Sequence, residues 1–295
     1  MNSLFLDKAG PLDETYCSIR DDPACADTKA FVARLWAFFS PYADCNFRSA
    51  IASSFHPRFW EMYLAFGLAA QGAELHPTPP DGPDFLIRGL HHPVWVEATA
   101  PFKGDRDDQV PEERMNILQA IPSEALILRY RAKIEDKFKI LVSSLEAGII
   151  KEFDPYIIAI NGRSLPFSRF EPPIPRILQA LFPFGDPFVT IDRNTLQQIG
   201  SGYSYRAKIE KKSGAPVSTT VFLDPKCNRI SAVLFCNSNV WNRPPSDAEV
   251  GLDFTLIHNP MATRNAIPYH WLKCGRECWV FDNHVVINDW FKERA

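Results

Sequence analysis

The period of the apolar positions changes several times along the first half of the chain, and each change marks an element. Residues 28 to 39 (TKAFVARLWAFF) recur at helical spacing. Pro57 then suits a first helical position, FWEMYLAFGLAAQ runs on without a breaker, and Gly72 suits the residue just past a helix end, so a second helix is expected there. The stretches AELHP, DFLIR and VWVEATA read as strands, the last two joined through a turn from Gly89 to Pro93 into a β-hairpin. A long helix follows over about 124 to 147, where Ile127, Tyr130, Ile134, Phe138, Leu141 and Leu145 repeat at the spacing of one buried face. YIIAIN at 156 to 161 is apolar throughout and reads as an interior strand.

The order helix, three strands, helix, strand predicts an α/β fold with a mixed central sheet flanked by helices, its core at residues 55 to 161. Residues 1 to 54 form an N-terminal helical extension. The segment 162 to 295 offers a helix near 174 to 182 and strands near 230 to 236, 252 to 257 and 278 to 281, and is expected to extend the same sheet, because ISAVLF resembles YIIAIN in having no polar face. The 25 prolines gather at segment ends (PTPPDGPD, EPPIP, FPFGDP, NRPP), where they punctuate elements and leave their interiors alone.

Composition narrows the function classes. With 295 residues and 46% hydrophobic content the chain can bury a large core, and no apolar run reaches the length of a membrane span, so no membrane partner and a cytoplasmic location are expected. Seven scattered cysteines argue for reduced thiols over a disulfide framework; Cys274 and Cys278 lack the second close pair that a zinc site needs. A net charge of -3 gives no global attraction to a polyanion, so any nucleic-acid surface must be local. There is no GxxxxGK[ST], HExxH or GxSxG motif.

Three carboxylates stand where apolar residues are more usual. Glu61 lies inside the most apolar helix, in line with Leu64, Ala65 and Leu68. Glu97 interrupts VWVEATA, where alternation puts Trp95, Glu97 and Thr99 on one face and Val94, Val96 and Ala98 on the other. Asp84 opens the preceding strand. If the hairpin turn centres between Leu90 and His91, residues whose numbers sum to 181 face each other, which sets Asp84 opposite Glu97 with Cβ atoms roughly 5 Å apart. Like charges in that position need a proton or a cation between them, and Mg²⁺ commonly takes one or two protein carboxylates. Singly, each acid also fits a cap, a surface charge or an ion-pair partner.

The stretch FWEMYLAFGLAAQGAELHPTPPDGPDFLIRGLHHPVWVEATAP resembles the core of the PD-(D/E)XK, or restriction-endonuclease-like, nuclease superfamily: a Glu-bearing helix, Pro83-Asp84 opening a strand, and Glu97 within the next. The resemblance covers about 105 residues, with the following helix and YIIAIN matching the later elements in order. It implies a nuclease that hydrolyses phosphodiester bonds of nucleic acid with Mg²⁺ or Mn²⁺, held by Asp84 and Glu97 with Glu61 in support. One departure matters: the motif expects a lysine two residues after the strand glutamate, and this chain has Thr99. In some members that lysine sits on the next helix, where Lys133 and Lys137 stand here, after Arg129 and Arg131; a solvated basic face fits the same spacing. Lys103 is a further candidate. The alternative to an enzyme is a binding module on the same fold whose chemistry was lost with the lysine.

His258-Asn259-Pro260 reads as a strand-to-turn junction with a structural histidine in preference to an active-site one. His91 and His92 fall in the hairpin turn and are expected to be solvated. Arg206, Lys208, Lys211 and Lys212 fit either a phosphate-tracking run or an exposed charged face.

Overall fold

The computed structural model describes residues 3–6, 12–79, 81–88, 92–105, 107–114, 116–281 and 284–289. The centre of the expected hairpin turn, Gly89, Leu90 and His91, lies outside them.

Four helices open the chain: α1 (Glu14–Asp21), α2 (Ala26–Phe39), α3 (Phe47–Ser53) and α4 (Phe55–Ala70). Asp13 holds this group together. Its carboxylate accepts from Thr15 N and Tyr16 N at the start of α1 and from Phe55 N at the start of α4, so one side chain satisfies orphan amides of two helices. The helix carrying Glu61 therefore starts two residues before Pro57, which sits in its first turn without cost. Gly72, with φ +89°, closes the segment as expected.

The strands β1 (Leu75–His76), β2 (Phe85–Ile87) and β3 (Val94–Thr99) follow, then the long helix α5 (Ser123–Glu146) and β4 (Tyr156–Asn161). After α6 (Arg176–Leu181) come two ribbons, β5 (Phe184–Ile191) with β6 (Gln198–Tyr205) and β7 (Lys208–Glu210) with β8 (Pro216–Ser218). The last strands are β9 (Ala232–Cys236), β10 (Thr255–His258), β11 (Arg276–Phe281) and β12 (His284–Asp289).

One eight-stranded mixed sheet runs β1-β2-β3-β4-β9-β10-β11-β12. β3, β4 and β9 are mutually parallel at its centre. The strands β9 to β12 continue the sheet beyond β4. Residues 184 to 218, where the sequence predicts no strand, depart from the expected continuation of the sheet: β5-β6 and β7-β8 are two-stranded sheets of their own, outside the main one. Glycine, serine and proline through FGDPFVTI and QIGSGYSY hide the strand period there.

Strand alternation divides the interior into two layers. Val94, Val96 and Ala98 of β3 join Ile157, Ala159 and Leu234 in the core under α1 to α4. Trp95 joins Ile158, Ile160 and Phe235 under α5, whose Ile127, Tyr130, Ile134 and Leu141 are buried at the predicted spacing. On the first face, Trp60 of α4 donates to the Ala159 carbonyl at 3.1 Å. At Gly67 a Cβ would stand 2.8 Å from the Phe254 ring, so the missing side chain is what lets α4 lie this close. Leu or Ile truncations in either layer would cost about 2–5 kcal/mol each.

Candidate active site

The register that the sequence predicts is the one observed. Phe85 pairs with Val96, Leu86 with Trp95 and Ile87 with Val94. Asp84 stands one residue before β2, where the continued pairing sets it against Glu97, and its Oδ2 accepts the Ala98 amide at 2.7 Å. The short β2 leaves the carboxylate at the mouth of the sheet, with α4 above one face and α5 below the other.

Each helix brings a cation with it. Arg58 of α4 donates through Nη1 to both oxygens of Glu61, at 3.1 and 3.0 Å, and lies 3.6 Å from Asp44 Oδ2. From α5, Lys137 Nζ donates to Glu97 Oε1 at 2.5 Å. The position of Lys137 is fixed from below, because the buried Tyr156 of β4 donates its hydroxyl to the Lys137 carbonyl at 3.3 Å. Three acids, Glu61, Asp84 and Glu97, thus stand side by side, with Arg58 at one end of the row and Lys137 at the other.

Burial and mutual repulsion dominate the titration of these acids. Loss of solvent pushes the Glu61 carboxyl up to about 8, the Asp84 charge adds to it, and Arg58 opposes it. Glu97 is pushed up to about 7 by the same two causes in the same order, with Lys137 opposing. Burial also raises Asp84, against Lys137 and the Ala98 amide. Two paired cations do not balance three crowded carboxyls, so this corner of the sheet retains protons into the neutral range.

The side chains open on a cleft of about 350 Å³ lined by Arg58, Glu61, Thr99, Phe102, Lys133 and Lys137. Thr99 ends β3 and is half-buried. Lys133 lines the cleft one helical turn from Lys137 and has no ion-pair partner among the described residues. Of the candidates named from the sequence, Glu61, Thr99, Lys133 and Lys137 line this cleft, whereas Asp84 and Glu97 do not line it and stand behind its wall, bonded to the Ala98 amide and to Lys137. Among the described residues, no group of three or more His, Cys, Asp or Glu side chains is arranged to hold a metal ion. The physical reason is visible in the partners: Glu61 is drawn to Arg58, and one oxygen of Glu97 is held by Lys137.

Other candidates are used elsewhere. Lys103 pairs with Glu112, and Arg131 donates through Nε to the Ser218 carbonyl at 2.6 Å. Arg129 lies against the backbone at Gly104. His258 is buried, stacked on Trp279 with ring centroids 4.6 Å apart and 3.2 Å from Glu277 Oε2, a structural place. His92 is half-exposed, with Nδ1 3.6 Å from the buried Asp154. The basic run divides: Arg206 bonds Gln179, and Lys208 pairs with Glu210 across 3.5 Å. None of the seven cysteines is in a disulfide. Arg58 is the residue that sequence reasoning missed; its i,i+3 spacing from Glu61 on a helix was the available signal.

Comparison with family models, with curated proteins and with solved structures gave no match. Geometry and chemistry at the cleft therefore carry the functional reading alone.

Proposed function

We propose that the cleft is the active site of a divalent-metal-dependent nuclease of the restriction-endonuclease-like kind, hydrolysing phosphodiester bonds in nucleic acid. One observation carries this reading: Lys137 of α5 reaches Glu97, beside Asp84, and so supplies a positive charge where the strand itself offers only Thr99. Carboxylate oxygens are the ligands that a hard cation takes, and a bound ion would have to draw Glu61 from Arg58 and Glu97 from Lys137. Asp84 and Glu97 would hold Mg²⁺ or Mn²⁺, with Glu61 in support. When bound, such an ion lowers the pKa of a coordinated water and stabilises charge on phosphoryl oxygens.

The protein's own groups do the rest. Lys137 and Lys133 present ammonium groups to the cleft, where they attract the phosphate backbone and offset charge developing on the phosphorus centre. The Thr99 hydroxyl offers a neutral hydrogen bond at the cleft wall. Arg58 keeps Glu61 oriented and partly charge-balanced. No helix among the described residues is long and apolar enough to cross a membrane.

A second reading, a binding module without turnover, is favoured by the same ion pairs, since Arg58 and Lys137 already neutralise two of the three acids without any metal. Cleavage assays on single- and double-stranded DNA and RNA with Mg²⁺ or Mn²⁺ separate the two. Asp84→Ala and Glu97→Ala are expected to abolish divalent-dependent cleavage with an unchanged circular dichroism spectrum. An unchanged cleavage rate in both variants would exclude this site. Binding without cleavage, indifferent to the divalent ion, would select the module.

A further inference from the structure

The ribbon formed by β5 and β6 is the feature of this chain least able to stand alone. Its two strands pair from Phe184 to Tyr205, and no third strand joins them among the described residues. Its base is anchored through the buried Phe184, whose ring meets that of Tyr203 at 6.2 Å, and one side of it walls a cavity shared with Val280 and Val285 of the main sheet. Along the ribbon Phe188, Val189, Ile191, Leu196, Ile199 and Tyr205, the last paired with Phe184 at the base, are all exposed, the last three at 78%, 65% and 72%. A solitary two-stranded ribbon in water is marginal, and one with apolar residues on both faces is more so.

The two edges of the ribbon differ. β5 contains Pro187, which has no N–H to offer and so protects that edge. β6, QIGSGYSY, has no proline and no charged residue, the two devices that ordinarily keep an edge strand from pairing. Its glycines at 200 and 202 also leave room for close approach. Over Gly202 lies the Phe188 ring, 3.0 Å from where a Cβ would stand, so one face is already closed by the ribbon itself.

We propose that β6 pairs antiparallel with β6 of a second copy of this chain, joining the two ribbons into a four-stranded sheet across a twofold axis. Self-pairing fits because the edge is neutral and the same strand supplies both halves of an isologous contact. The exposed apolar side chains of the whole ribbon amount to on the order of 700 Å² per copy, given that a fully buried large aromatic contributes 150–250 Å², and those beside the free edge of β6 are Ile199, Tyr203 and Tyr205. A stable interface covers about 800 Å² per partner, and the largest apolar patch on a monomer is usually about 300–600 Å². A polyanion is the poorer partner, because the ribbon's charges are Asp186, Asp192 and Arg193, a net negative set.

Light scattering of the full chain at micromolar concentration tests this, together with hydrogen exchange of the amides from 199 to 205. The expected mass is twice the 33.5 kDa of one chain, with those amides protected in step with concentration. Ile199→Lys combined with Tyr205→Lys should return the mass to that of one chain, keep the circular dichroism spectrum and release the amides. A wild-type chain of single mass, or a double variant that stays paired, overturns the proposal. Should the double variant not fold, the wild-type exchange decides: protection that rises with concentration supports pairing through β6, and protection independent of concentration overturns it.

Discussion

The carboxylate of Glu277 and those at the cleft are treated in opposite ways. Glu277, fully buried in β11, accepts from Leu272 N at 2.8 Å and from His270 N at 3.2 Å, and it also contacts the His258 ring at 3.2 Å. Donors from the chain serve both of its oxygens. At the cleft, Glu61, Asp84 and Glu97 are buried close together and must share Arg58, Lys137 and one backbone amide. Burial of an acid is thus no sign of chemistry in itself. What distinguishes the two places is the number of donors per carboxylate: Glu277 has a donor for each oxygen, whereas the cleft acids have too few and remain available to a proton, a cation or a substrate.

Substitutions can break that comparison from either side. The largest effect after loss of cleavage is expected at Glu277, where Glu277→Ala leaves two amides and a histidine unpaired in the interior. Chemical denaturation should show a loss of about 3–5 kcal/mol, with divalent-ion binding at the cleft unchanged. Retention of wild-type stability would show that the Glu277 network is not structural. A smaller cost, about 2 kcal/mol, is expected for Lys137→Met, since the pair it breaks is only partly screened from water. Adding Glu97→Gln should restore most of that stability by removing the stranded charge; a double variant as unstable as the single one would mean that Lys137 acts through packing alone.

The smallest effect is a pH dependence. Glu61 and Glu97 hold protons up to about 8 and about 7 in the folded chain, against 4.5 for the free side chain. The folded state therefore binds more protons than the unfolded state between those limits, and stability falls as pH rises through that window. In EDTA, Tm should drop by a few degrees between pH 5 and about 8, and Glu61→Gln with Glu97→Gln should flatten the slope. Mg²⁺ or Mn²⁺ should do likewise if it takes the place of the protons. A slope unchanged in the double variant would locate the titrating groups elsewhere.

Much of this geometry was legible in the chain. Alternation in VWVEATA divided β3 between two cores as observed, and the position of the turn fixed a pairing sum of 181 that β2 and β3 keep residue by residue. YIIAIN is β4 to the residue, and α5 departs from its expected limits by one residue at each end. The ribbons at 184 to 218 were not legible, because their strands are held by cross-strand backbone bonds and carry no buried-face period. The Arg58–Glu61 pair was within reach of helical spacing but competes with every other i,i+3 pair on the chain.

By itself, the sequence determined which residues share a face and which strand positions oppose one another, because those follow from the repeat of a helix or a strand over a few contiguous residues. It placed Lys133 and Lys137 on one helical stripe but could not choose between them. That choice belongs to the tertiary structure. Where α5 crosses β3 and β4 depends on packing over the whole layer, and with Tyr156 bonded to the Lys137 carbonyl, the helix is held so that Lys137, and not Lys133, meets Glu97.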